Sequence, residues 1–146
     1  MSCATRRPLA SIVILLGALM SAACAGFAAK GEAEAAVAGF HQMLDAERYD
    51  EIYDATDDLF KGATTRSDFT AILQAVHRKL GGTQSSAETN FYAREQAGTN
   101  AGSYISLTYD TAYEQGHATE SFNWKVVAGE VRLVGYNVKS SLLVSR

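Results

Sequence analysis

Two cysteines, one proline and one tryptophan are few for a chain of 146 residues. Cys3 and Cys24 both lie near the N-terminus, so a processed chain keeps at most Cys24. A disulfide framework and a thiolate metal site are therefore excluded for a mature monomer. The single proline, Pro8, sits in the same N-terminal segment, and everything after it is free of proline punctuation. Basic runs and low-complexity blocks are missing, and the formal charge is −3. That speaks against nucleic acid, whose binding rests on neutralising phosphates with Lys and Arg. There is no phosphate-cradling glycine loop and no G-x-S-x-G elbow. His41, His77 and His117 share no close ligand spacing, so no metal site is expected, and nothing in the chain calls for a cofactor.

The first 25 residues have the order of a secretory signal peptide. Arg6 and Arg7 form a basic start, residues 9–20 an apolar run, and residues 21–25 a set of small residues. A bilayer span needs about 20 apolar residues, which this run does not supply. Two cleavage readings stay open. Ala23-Cys24-Ala25 is an A-x-A site that would release a soluble periplasmic protein beginning at Gly26. Ser21-Ala22-Ala23-Cys24 resembles a lipobox, with Cys24 as the lipidation site and the only link to a membrane. Loss of Arg6 and Arg7 with the signal takes the formal charge from −3 to −5.

Residues 26–31 read as a tether, residues 32–140 as one domain and residues 141–146 as a tail. From Glu32, Ala33, Ala36, Val37, Phe40 and Leu44 recur at three- and four-residue steps, the period of an amphipathic helix. A short second helix carries Tyr49, Ile52, Tyr53 and Thr56 and reaches Leu59 and Phe60. Thr65 to Asp68 resembles a capping box opening a third helix, with Phe69, Ile72, Leu73, Val76 and Leu80 inward and Gly81-Gly82 as its stop. The period then changes from 3.6 to 2. Residues 84–97, 103–115, 118–127 and 130–139 alternate and are separated by turn-grade residues. The expected fold is α+β: three N-terminal helices packed on a curved four-stranded antiparallel meander.

Two-residue loops at Gly116-His117 and Ala128-Gly129 set a testable register. Tyr113 then faces Glu120, Tyr109 faces Trp124, Trp124 faces Leu133 and Glu120 faces Asn137, with the apolar side chains on one common face. Phe91, Tyr109, Phe122 and Trp124 would floor a pocket under the helices, and Tyr113, Glu120 and Asn137 would form its polar end. A carboxylate on such a face must be paired or reach water. Glu120 is thus a general base or ligand acceptor, or it holds a helix-side partner such as His41 or a tyrosine hydroxyl. Asp110 has the opposite parity and is set aside. Tyr92, Tyr104, Val127, Val134, Tyr136 and Val138 fall on the outer face, where a contiguous patch would suit a homodimer or another partner.

The segments FHQMLDAERYDEIYDATDDLFKGATTRSDFTAILQAVHRKLG, SYISLTYDTAY, ATESFNWKV and EVRLVGYNVK together resemble a bacterial exported family named as domain of unknown function 4019. The resemblance runs from about Glu32 to Lys139, and its most specific piece is Val131 to Tyr136, although Val131 stands where the pattern has tryptophan. It implies a nuclear-transport-factor-two-like (cystatin-like) cone, which hosts enzymes and non-catalytic binders alike, and it brings no catalytic residues. The expectation is an exported, non-catalytic module that binds a small apolar ligand or a protein. The alternatives are a cone-fold enzyme with Glu120 as general base and a dimerising interaction protein.

Overall fold

A computed structural model describes the backbone of residues 13–144 and the side chains of residues 28–144. The start of the signal segment, residues 1–12, and the side chain of Cys24 lie outside the described residues. Four helices precede the sheet: α1 (Val13–Asp45), α2 (Tyr49–Asp54), α3 (Asp58–Ala63) and α4 (Arg66–Leu80). Strands β1 (Thr83–Gln96), β2 (Gly102–Tyr113), β3 (Gly116–Val127) and β4 (Glu130–Lys139) form one antiparallel sheet in the order β1-β2-β3-β4. A last helical turn, α5 (Ser141–Val144), follows the sheet. The α+β class and the four-stranded meander are as the sequence predicts, but the helices are not all N-terminal. The expected second helix is two, because Asp57 caps a new start by accepting from the Leu59 N–H at 3.0 Å. Residues 26–31 lie inside α1. No helix among the described residues is long and apolar enough to cross a membrane.

The helices bury one stripe each against the sheet. Ala33, Val37, Phe40 and Leu44 of α1 and Phe69, Leu73, Val76 and Leu80 of α4 are all buried. Ile72, expected among them, is 46% exposed. At the start of α4 the Asp68 N–H donates to Thr65 Oγ1 at 3.2 Å, and the Thr65 hydroxyl donates to Asp68 Oδ2 at 2.7 Å. Gly81 ends α4 with φ +78°, and a Cβ there would stand 2.5 Å from Glu114 Oε2 and 2.9 Å from Glu114 Cβ. Only glycine fits both the backbone and the space.

Both register expectations need correction, for different reasons. The β2–β3 reversal is Glu114-Gln115, not Gly116-His117, so Tyr109 pairs with Glu120 and Leu107 with Phe122. Each β2 residue meets a β3 residue four positions earlier than expected. Being even, that offset leaves every side chain on its expected face. The cause is tertiary. The N–H groups of Glu114 and Gln115 donate to the Gly82 and Leu80 carbonyls at 3.0 and 2.9 Å, tying the turn to the C-terminal end of α4. On β4 the register holds for Val126↔Val131 and Trp124↔Leu133 and then slips by one, with Asn123↔Gly135, Phe122↔Tyr136 and Glu120↔Val138. The bulge at Val134 turns Tyr136 inward and Asn137 outward. Tyr136 and Val138 thus leave the outer face, and Tyr104 on that face is buried, with Arg94 stacked at 4.9 Å and its hydroxyl donating to the Asn100 carbonyl at 2.7 Å. Tyr92 and Val127 remain exposed there.

Candidate functional site

Glu120 is fully buried on the inner face of β3 and accepts four hydrogen bonds. His41 Nε2 of α1 lies 2.7 Å from Oε2, and Thr111 Oγ1 of β2 donates to the same oxygen at 2.6 Å. The hydroxyls of Tyr113 and Tyr136 donate to Oε1 at 2.9 and 2.6 Å. A carboxylate has about four acceptor positions, and all are taken. An ionised carboxylate has no hydrogen to give, so the hydrogen in the His41 contact is on Nε2.

Burial alone would raise the pKa of Glu120. The hydrogen bond from His41 and the attraction of its ring, followed by the Thr111 and Tyr136 bonds, outweigh that and hold the carboxyl below its ordinary value. Tyr113 and Tyr136 are both pushed well above the usual phenol value, first by burial and then by the neighbouring carboxylate. At neutral pH the cluster is therefore one anion ringed by protonated donors. Its shape comes from the core. Phe122 packs edge-on against Phe40 at 5.1 Å, and Tyr136 packs on both Phe122 and Phe40 at 5.2 and 4.8 Å.

The expected polar row is therefore partly right. Glu120 and Tyr113 are joined; Asn137 is not, because the bulge exposes it, and Tyr136 occupies the role it was given. His41 was foreseen as one partner of the acid, whereas Thr111 and Tyr136 were missed. Gly135 was the available signal for Tyr136, since glycine inside a strand marks a bulge. A Cβ there would come within 3.2 Å of Asn123 Nδ2. The aromatic floor also divides. Tyr109 and Phe122 are core, whereas Phe91 is 39% exposed on β1, where residues 85–95 are all exposed, and the Lys30 ammonium lies over its ring at 5.3 Å.

Trp124 stacks on Phe122, with ring centroids 6.1 Å apart and planes at 10°, but its other side lines an open groove. The groove holds about 170 Å³. Helix α1 contributes Ala36 and Gly39, α2 contributes Ile52 and Ala55, and β4 contributes Val131 and Leu133. Trp124 is 5% exposed, and its Nε1–H is buried with no hydrogen-bond partner among the described residues. Nothing stands within 4 Å of where a Gly39 Cβ would be, so the missing side chain helps leave the groove open. A second depression of about 270 Å³, lined by Phe60, Phe69, Ile72, Tyr136 and Asn137, has no buried donor left unsatisfied on its wall. Among the described residues no group of three or more His, Cys, Asp or Glu side chains is placed to hold a metal.

The profile of a family described as "Protein of unknown function (DUF4019)" matches residues 36–136. No curated protein matches the chain. The matched span contains the whole Glu120 cluster and the groove residues named above.

Proposed function

The chain belongs to the DUF4019 family of proteins of unknown function, and on that premise we propose that it is an exported, non-catalytic binding module whose ligand enters the groove at Trp124. One observation carries the reading: the sole tryptophan lines an apolar groove that α1, α2 and β4 leave open. Drug-sized ligands fill about 300–1,000 Å³. A groove of 170 Å³ suits one branched aliphatic group.

The state of Glu120 supports the non-catalytic half of the proposal. A general base must come within about 2.6–3.2 Å of the proton it takes. Glu120 is fully buried and has four donors on its two oxygens. In this reading it locks α1 to the sheet. The basic start, apolar run and small residues of the first 25 positions support export to the periplasm, soluble or held by lipid on Cys24. The helices-then-meander order supports a nuclear-transport-factor-two-like cone.

Titration with 4-methylpentanamide tests the groove through the fluorescence of the only tryptophan. Gly39→Leu serves as the blocked form, because the new side chain projects into open space and improves helix propensity by roughly 0.8 kcal/mol. The wild type should give a saturable change and Gly39→Leu none. A flat wild-type titration would remove the groove as a ligand site.

A further inference from the structure

We infer that the natural occupant is an extended polypeptide segment, which adds to the open edge of β4 at Val131 and lowers one aliphatic side chain into the Trp124 groove. This rests on the groove reading above and names its partner. Strand β4 is an edge strand of the sheet. Its edge is already taken at Leu133 by the chain itself: the Asp57 N–H donates to the Leu133 carbonyl at 2.9 Å, and Thr56 forms a parallel bridge with Leu133. Because the Leu133 carbonyl points away from β3, the Trp124↔Leu133 pair is of the type that does not exchange hydrogen bonds. Antiparallel ladders alternate, so Val126↔Val131 is of the same type, and the Val131 N–H and C=O point to the same open edge. No helix or loop backbone among the described residues bonds to them.

Two features converge within about 7 Å of strand, the rise of two residues. They are an unpaired backbone donor and acceptor at Val131 and an apolar groove walled by the Val131, Leu133 and Trp124 side chains. A free small molecule would use the groove but leave the edge idle. A polypeptide uses both. Strand addition supplies two main-chain bonds, and side-chain alternation sends one residue inward while its neighbours stay in water. The residue opposite Val131 pairs through its own N–H and C=O, and its side chain fills the groove beside the Trp124 ring. The Thr56-Asp57 segment limits the added strand at one end, so the site takes a short segment and not a second full sheet.

The purified chain is titrated with a capped hexapeptide bearing one central leucine among threonines and serines, read by Trp124 fluorescence. Three comparison probes are the same peptide with alanine for leucine, the same peptide N-methylated at the leucine nitrogen, and 4-methylpentanamide. The hexapeptide should bind with Kd on the order of 1 mM or below, at least tenfold more tightly than the small amide. The alanine and N-methyl forms should each lose about tenfold or more, a loss of one buried side chain or one edge bond. Gly39→Leu should bind neither probe while melting no lower than wild type. If the N-methyl peptide binds undiminished, or the amide binds as tightly as the hexapeptide, the polypeptide partner is overturned and the groove stands as a small-molecule site. If no probe binds wild type, the groove falls with it.

Discussion

Replacing Glu120 with glutamine keeps the shape of the side chain and removes its charge. In the native cluster four donors converge on two oxygens. A hydrogen bond to a charged group is worth about 1.5–3 kcal/mol and a neutral one about 0.5–1.5 kcal/mol. Four bonds weakened by about 1 kcal/mol each give a gross loss near 4 kcal/mol, and relief of the buried charge returns part of it. The amide NH₂ must also face two groups that were donating, so hydroxyls have to turn or bonds are lost. The net expectation is a destabilisation of about 2–4 kcal/mol at pH 7, within the roughly 5–15 kcal/mol of a small domain, so the variant still folds. Urea unfolding should show a lower midpoint with an unchanged slope. The pH dependence has a definite sign. The carboxyl is held below its ordinary value of 4.5 in the folded state, so between that value and the lower folded one the unfolded chain binds more protons. The Glu120 contribution is full above about pH 4.5, is lost as the pH falls through the folded value, and is missing from Glu120→Gln. A variant within about 0.5 kcal/mol of wild type, with the acid limb of its stability curve intact, would refute the claim that this anion joins helix to sheet.

Tyr136→Phe should cost about 1–2 kcal/mol by removing one charge-assisted bond to Glu120, whereas Asn137→Ala should stay within about 0.5 kcal/mol because that side chain is exposed; the reverse order in urea unfolding would contradict the bulge at Val134. Gly81→Ala should destabilise by about 1–3 kcal/mol, since it forces a Cβ at φ +78° against the Glu114 side chain, and a melting temperature equal to wild type would show that this helix end is not constrained. On the proposed export, mass spectrometry of the mature protein should find either an N-terminus at Gly26 or a lipidated Cys24; an intact chain beginning at Met1 in the periplasmic or membrane fraction would contradict both processing routes.

The sequence made the layer order and the facing of Glu120 legible because both depend only on period. The change from 3.6 to 2 marks where the helices end. Any even offset between strands leaves the same side chains inward, so Glu120 faced α1 even with the β2–β3 turn misplaced. Turn position itself was not legible. Gly116-His117 has the better local turn chemistry, and Glu114-Gln115 is chosen by carbonyls at the end of α4, far away in sequence. A one-residue bulge was equally hidden, and it is odd, so it exchanged Asn137 for Tyr136. Phe91 misled because alternation reports which side of the sheet a residue takes, not whether that position is covered. Trp124 was rightly put on the inner face; that it lines an opening follows from Ala36, Gly39 and Ala55, whose small size shows as a groove only when α1 and α2 are side by side.

Because the chain has one tryptophan, its ¹H–¹⁵N spectrum contains a single indole resonance, and that ring lines the groove on which the binding proposal turns. Titrated with the leucine hexapeptide, the resonance should move progressively to a saturated position in wild type and stay still in Gly39→Leu. An indole signal unmoved up to about 10 mM peptide, tenfold above the expected dissociation constant, would contradict the assignment of the Trp124 groove as the binding site.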